Sequence, residues 1–315
     1  MSQKILLSGV KPTGRPHVGN YFGAMKQFVD LQHDYQTYVM IADLHALTQL
    51  QDPTQVKQYT LDLALDYLAI GLDPEKVILF KQSDIAEHAE LAWIFDCITT
   101  VPYLMRAHAY KDAEAKSKEI NAGLSTYPVL MSADILIYNA DVVPIGRDNK
   151  QHLEYARDTA EKFNRIFGET FKLPEPLILE EVETVPGVDG QKMSKSYGNT
   201  IPLFAEDEEI KKLCMSIVTD SSGERPENVY NIHKLFKSEA ELETLYEEKK
   251  GKYKELKEAL IEDVIAFITP LREKRKEIAK DPQKVIEILK KGGEQAKAVA
   301  SVKMTEIKEK VGINL

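Results

Sequence analysis

Lys4-Ile5-Leu6-Leu7-Ser8-Gly9-Val10-Lys11-Pro12-Thr13-Gly14-Arg15-Pro16-His17-Val18-Gly19-Asn20 is the stretch on which the fold turns. Residues 4–7 form a short apolar run ending at Ser8-Gly9, the pattern of a buried strand. A turn-rich segment follows. After it Val18, Phe22, Met25 and Val29 recur at helical spacing, which predicts a helix starting near His17. Strand, glycine-containing loop and helix start together aim backbone N–H groups at an anion. Gly9 and Gly14 have the spacing of a P-loop, but Arg15-Pro16 stands where Lys-Ser/Thr is required, so a Walker A site is rejected. No Gly-x-Gly-x-x-Gly follows the strand, which argues against a nicotinamide or flavin site.

Outward from this start, strand and helix alternate over the first 180 residues. Residues 38–42 read as a second strand, and residues 77–80 as a third. Between them Asp52-Pro53 is an N-cap followed by proline at the first helical position, opening a helix that ends by Gly71. Residues 86–99 read as a helix holding the single tryptophan, Trp93. This βαβαβ start predicts an α/β fold with a doubly wound parallel sheet, and ligands beyond the carboxyl ends of the strands, where His17 and Asp43 fall. Residues 100–136 are mainly helical, with a charged stretch at 110–119, and look like an insertion between sheet halves. Residues 142–146 and 177–179 read as further strands flanking a helix at 151–167. From Glu206 onward the pattern is nearly all helical. The expected division is a catalytic unit over 1–190, a loop over 191–203 and a helical C-terminal domain over 204–315.

Composition narrows the class. The 315 residues are 43% hydrophobic and 29% charged, ordinary values for a soluble globular chain. No apolar run is long enough to span a bilayer, and the N-terminus lacks signal-peptide form. Cys97 and Cys214 are far apart and have no metal-ligand spacing; no His-x-x-x-His pair occurs; a cytoplasmic enzyme with reduced thiols and no bound metal site fits. The net charge of −9 argues against a general nucleic-acid coat protein, though a specific contact needs only a local basic face. Lys249 to Lys254, Arg272-Glu273-Lys274-Arg275 and Lys290-Lys291 are the candidates; glutamates beside them leave solvated helix faces as the alternative.

Two further segments carry chemistry. Lys192-Met193-Ser194-Lys195-Ser196, bounded by the flexible residues Gly190 and Gly198-Asn199, suits a mobile loop that grips a polyanion, with lysines as point charges and serines as donors; an exposed basic turn is the plainer alternative. Tyr127 and Asp134 lie seven apart in a helical stretch and share one face, and Asp134 sits in otherwise apolar sequence. A buried carboxylate needs hydrogen bonds. It would serve either as an acceptor for an indole N–H or a phenol O–H, or as an interhelical bond with no ligand.

His17-Val18-Gly19-Asn20 resembles the His-Ile-Gly-His signature, and residues 192–196, some 175 positions downstream, resemble the partner loop, of class I aminoacyl-tRNA synthetases. With Gly9, Pro12, Gly14, Tyr21, Asp43, His45, Tyr127, Met131, Asp134, Gly146, Asp148 and Gln151-His152, nearly the whole chain resembles the bacterial-type tryptophanyl branch more closely than its tyrosyl sister. The resemblance implies a Rossmann-like nucleotide-binding domain of the HUP type and an anticodon-binding helical domain. It implies activation of L-tryptophan with ATP, Mg²⁺ held mainly by the ATP phosphates, and transfer to tRNA(Trp) by a homodimer joined through the mid-chain insertion.

By the same resemblance His17, Lys192 and Lys195 stabilise the charge that builds on the splitting triphosphate, where catalysis needs preset donors rather than a nucleophile. Lys11, Pro12, Thr13, Gly19, Asn20, Gly146, Arg147, Asp148, Val185, Lys192, Met193, Ser194, Lys195 and Ser196 contact ATP. Asp134 accepts the indole N–H, Tyr127 holds the substrate ammonium, and Met131, His45 and Gly9 line the pocket. The chain departs from the family at Lys11, often Gln, at Asn149, frequently a Gln, and at Arg147, commonly an acid; Arg147 adds a phosphate contact or points to solvent. Alternatives are a tyrosyl-tRNA synthetase, a nucleotide-binding paralogue that charges no tRNA, and a small-molecule nucleotidyltransferase, which the long helical C-terminal region disfavours.

Overall fold

A computed structural model describes residues 3–115, 119–145, 150–178, 185–219 and 225–314. In chain order its elements are β1 (Ile5–Val10), α1 (Val18–Asn20) running through a π-helical turn (Tyr21–Met25) into α2 (Lys26–Leu31), β2 (Gln36–Ile41), α3 (Asp43–Ala46), α4 (Pro53–Ile70), β3 (Val77–Lys81) and α5 (Glu87–Asp96). The middle holds α6 (Val101–Leu104), α7 (His108–Ala115), α8 (Ala122–Leu136), β4 (Val142–Ile145), α9 (Lys150–Phe167) and β5 (Glu175–Ile178). The C-terminal part is helical, with α10 (Asp207–Met215), α11 (Glu227–His233), α12 (Glu239–Glu248), α13 (Tyr253–Ile278) and α14 (Pro282–Val311). The five strands pair in parallel in the order β3-β2-β1-β4-β5, the doubly wound order that the alternating sequence predicts.

Local sequence explains the elements. The Asp52 carboxylate accepts the N–H groups of Thr54 and Gln55 at 2.9 and 3.0 Å, Pro53 occupies the first turn, and Gly71 closes the helix in the left-handed region. Residues on alternate positions of β2 enter different cores. Val39 and Ile41 pack with α4 and the C-terminal helices, whereas Tyr38 and Met40 pack with α5, α8 and α9. β1 runs three residues past its apolar stretch, to Val10, because Ser8, Gly9 and Val10 continue the register against Val39, Met40 and Ile41. The charged stretch after residue 108 is helical as far as Ala115; residues 116–118 lie outside the described part.

The last helix is welded to the sheet. Val285 and Leu289 of α14 belong to the core on one face of the sheet, and Ala296, Ala300, Met304 and Ile307 to the core on the other. α14 therefore crosses the edge strand β3, covering an edge that would otherwise offer unpaired backbone groups. The crossing falls at Gly292, where a Cβ would lie 2.0 Å from the Leu79 carbonyl oxygen, while one on Gly293 meets Asp84 at an ordinary 3.5 Å. Among the described residues, no helix is long and apolar enough to cross a membrane.

The Gly292 crossing makes a paired prediction. Gly292→Ala drives a methyl into the β3 backbone and costs about 2 kcal/mol or more. Gly293→Ala gains helix propensity and stays within about 1 kcal/mol of the parent protein. Thermal melts of both variants check this; equal melting temperatures would show that α14 does not sit tightly on the strand.

Candidate active site

β1 ends at Val10, and the following loop leads to His17 at the start of α1. The His17 imidazole and the Asn20 side chain form a reciprocal cap: Asn20 N–H donates to His17 Nδ1, and His17 N–H donates to Asn20 Oδ1, both at 3.2 Å. With Nδ1 accepting, the neutral ring carries its hydrogen on Nε2. Burial, reinforced by the nearby Lys195 ammonium, pushes the imidazole down to about 4, so at pH 7 it is an uncharged donor. A Cβ on residue 19 would lie 3.0 Å from His17 Nδ1, which is why glycine follows the histidine so closely.

The lysine loop returns to this corner. Val18 N–H donates to the Ile201 carbonyl at 3.0 Å and Leu203 N–H to the Pro16 carbonyl at 2.9 Å, which flanks His17 with an antiparallel bridge to Pro202. Lys195 Nζ donates to the carbonyls of Gly14 at 2.9 Å and Thr13 at 3.4 Å. Met193 is buried and would touch a Cβ placed on Gly19. Val185 is buried, and its carbonyl accepts the Met193 N–H at 2.8 Å. Lys11, Pro12 and Thr13 lie in the loop that receives Lys195; burial lowers the Lys11 ammonium below the usual lysine range. Ser194 and Ser196 hydroxyls are 2.9 Å apart. The backbone of Lys192 is tied to Pro186 and Asn199. Gly146, Arg147, Asp148 and Asn149 lie outside the described residues.

Two features differ from the sequence expectation. Asn199, expected as part of a flexible flank, is buried: its Oδ1 accepts the Ser194 N–H at 2.8 Å, and its Nδ2 donates to Asp189 at 2.7 Å and to the Lys192 carbonyl at 3.1 Å. It staples the loop rather than loosening it. The lysine patches follow the alternative of solvated helix faces, paired with glutamates, whereas the two arginines turn inward. Lys249 and Lys252 pair with Glu255, Lys254 with Glu258 and Lys291 with Glu75. Arg272 reaches Asp207 at 2.8 Å and the Ala205 carbonyl at 2.6 Å. Arg275 turns inward to Asp66 at 2.5 Å and Asp62 at 2.6 Å. Asp66, whose carboxyl burial pushes up to about 6 against the pull of Arg275, also acts electrostatically on Lys195.

A second cluster lies beyond the ends of β2 and β3. Asp43, just after β2, accepts both the Ser83 N–H at 2.9 Å and its hydroxyl at 2.5 Å, pinning the two strand ends together. Asp134 in α8 is buried. His45 Nε2 donates to its Oδ2 at 2.8 Å; Gln82 Nε2 at 2.8 Å and His88 Nδ1 at 2.5 Å donate to its Oδ1. Burial alone would raise this carboxyl, but the histidine bonds outweigh it and hold it below the ordinary carboxylate range. Tyr127 lies near the His45 ring and its hydroxyl is 3.2 Å from His152 Nε2. Met131 is half-buried one turn before Asp134, and Gly9 sits on β1 opposite Met40. The interhelical role weighed for Asp134 is thus realised by Gln82 and His88, which sequence reasoning did not single out. Neither carries a local sequence signal, since Gln82 stands between Lys81 and Ser83-Asp84, and His88 between Glu87 and Ala89-Glu90.

The arrangement offers one neutral donor and lysine charges at a helix N-terminus, with a buried, hydrogen-bonded carboxylate cluster at the same end of the sheet. That suits transfer chemistry on a nucleoside triphosphate. The family model described as tRNA synthetases class I (W and Y) matches residues 2–308. Tryptophan–tRNA ligase of Fusobacterium nucleatum is 49% identical over 98% of this chain and 97% of its own length. That of Rhodopirellula baltica is 45% identical over 98% and 99%. The crystal structure of tryptophanyl-tRNA synthetase from Campylobacter jejuni complexed with ADP and tryptophan superposes with a TM-score of 0.91 at 43% identity, over 98% of this chain and 99% of that one. This chain belongs to the class I tRNA synthetases of the tryptophan and tyrosine group, within the tryptophan–tRNA ligase family.

Proposed function

We propose that this chain activates L-tryptophan with ATP to tryptophanyl-adenylate and pyrophosphate, and then transfers tryptophan to tRNA(Trp). The observation that carries the reading is the meeting of Lys195 with the Gly14 loop beside neutral His17. The tryptophan carboxylate attacks the α-phosphate in line, and negative charge grows on that phosphate and on departing pyrophosphate. His17 Nε2–H donates to a phosphate oxygen without adding charge. Lys195 exchanges its carbonyl partners for phosphate oxygens, and Lys192 and Lys11 supply further positive charge. The backbone at Pro12, Thr13, Gly19, Asn20, Val185, Met193, Ser194 and Ser196 frames the nucleotide; the family resemblance adds Gly146, Arg147 and Asp148 as ATP contacts. Mg²⁺ would be held mainly by the ATP phosphates and would neutralise part of the growing charge.

In the amino-acid pocket Asp134 accepts the indole N–H, Tyr127 faces the ammonium, and Met131, His45 and Gly9 line the ring. A site built around a buried acceptor rejects phenylalanine, which would leave that acceptor without its donor. The helical region 204–315 is read as the tRNA-binding domain, with the anticodon met by its far helices. A homodimer joined through the mid-chain insertion, in the cytoplasm, belongs to the same reading; Val101 and Met105 in that insertion are 68% and 42% exposed, and Trp93 just before it is 70% exposed.

Amino-acid-dependent exchange of pyrophosphate into ATP tests the substrate. Tryptophan supports it, and tyrosine and phenylalanine do so at least ~100-fold less well; faster exchange with tyrosine would reverse the assignment. Lys195→Ala lowers the adenylation rate about 10²-fold or more, and an unchanged exchange rate would refute its role. His17→Asn keeps a good N-cap while deleting the Nε2 donor, so it loses a comparable factor in rate with less than about 1 kcal/mol in stability. Loss of stability without loss of rate would make His17 only a cap. Trp93→Glu converts the dimer to monomer in sedimentation; a parent protein that is already monomeric removes this part of the reading.

A further inference from the structure

Asp134 is held by a relay that extends deeper than the pocket. Each carboxylate oxygen has two lone pairs to offer. Oδ1 takes His88 Nδ1 at 2.5 Å and Gln82 Nε2 at 2.8 Å, which fills it. Oδ2 takes His45 Nε2 at 2.8 Å, and among the described residues it has no second donor. Gln82 is itself fixed, because its Oε1 accepts the His45 N–H at 3.3 Å. His88, fully buried, faces a group that only accepts, so Nδ1 carries hydrogen, and in the neutral ring Nε2 accepts from the Tyr138 hydroxyl 2.7 Å away. The Tyr138 ring stacks on Tyr38 of β2, centroids 4.9 Å apart, and packs edge-on against Phe80 of β3. Both nitrogens of the imidazole are thereby engaged, one by Asp134 and the other by a tyrosine that leans on the sheet.

We propose that His88 and Tyr138 are positioning residues for amino-acid selection: they clamp the Asp134 carboxylate so that Oδ2 keeps one open lone pair, at a fixed angle, for a single ring N–H donor. The inference rests on the reading of Asp134 as the indole acceptor. The ligand class it selects is a fused aromatic ring carrying one donor and no acceptor. Gln82 and His45 supply the remaining constraints. Without the His88 bond, Oδ1 regains a lone pair and the carboxylate is free to turn toward it, so the acceptor no longer stands where the indole N–H arrives.

The test compares tryptophan with β-(benzothienyl)alanine, an isostere whose ring sulfur replaces the N–H, in amino-acid-dependent pyrophosphate exchange by the intact protein. The parent prefers tryptophan over the isostere by about tenfold or more. His88→Leu raises KM for tryptophan about tenfold or more, leaves kcat within about threefold, and leaves KM for the isostere unchanged, so the preference collapses. His88→Asn, whose amide nitrogen falls near the Nδ1 position, restores most of it. Tyr138→Phe keeps the ring stack, loses only the hydroxyl, and raises KM for tryptophan alone, by a smaller factor. The two milder variants carry the test if His88→Leu does not fold. Equal weakening toward both amino acids, or a fall in kcat alone, would mean that His88 merely supports the fold and would overturn the proposal. A parent protein that shows no preference for the N–H overturns the underlying reading of Asp134 instead, so the two failures are told apart.

Discussion

The bond from Lys195 Nζ to the Gly14 carbonyl joins segments 181 residues apart, and the candidate chemistry depends on it. The chain makes the approach with backbone first. Val18 pairs with Ile201 and Leu203 with Pro16, so backbone bonds alone set the register of the two segments. Met193 then seats beside Gly19, and Asn199 fixes the loop from behind. What remains adjustable is the long lysine side chain, whose hydrogen bonds to carbonyls are readily exchanged for stronger ones to phosphate. Burial keeps His17 neutral, and the approach of Lys195 reinforces it.

The two sites share one support. α4 carries Asp62 and Asp66 to Arg275 of α13, and Asp66 lies within electrostatic reach of Lys195. Removing one partner of such a buried pair costs more than the pair itself contributes. On the other side of the sheet, Asp134, His88 and Tyr138 bind α8 to α5 and lean on the rings of β2 and β3. The C-terminal helices are not an appendage to this frame, since α14 crosses the edge of β3 and enters both cores.

Much of this was legible in the chain. Apolar runs bounded by turn residues located the strands, the Asp52-Pro53 start and Gly71 stop fixed α4, and the alternation foretold a parallel doubly wound sheet. His17 and the lysine loop were legible because each is a compact motif. Asn199 was misjudged because glycine beside asparagine ordinarily signals a loose turn, and only the fold reveals that its amide faces three backbone and side-chain partners. Gln82 and His88 escaped because they reach Asp134 across 52 and 46 residues of chain, and Tyr138 because its partner His88 lies 50 residues away, distances that no local spacing betrays. The inward turn of Arg275 escaped for a similar reason: periodicity places it on a charged helix, while tertiary packing supplies Asp62 and Asp66.

A double-mutant cycle on adenylation with His17→Asn and Lys195→Ala addresses most directly whether the two segments act as one site. Groups that stabilise the same developing charge are strongly non-additive. The double variant is therefore predicted to be only a few-fold slower than the slower single variant. A rate loss equal to the product of the two single losses would mean that His17 and Lys195 act independently, and would contradict the account.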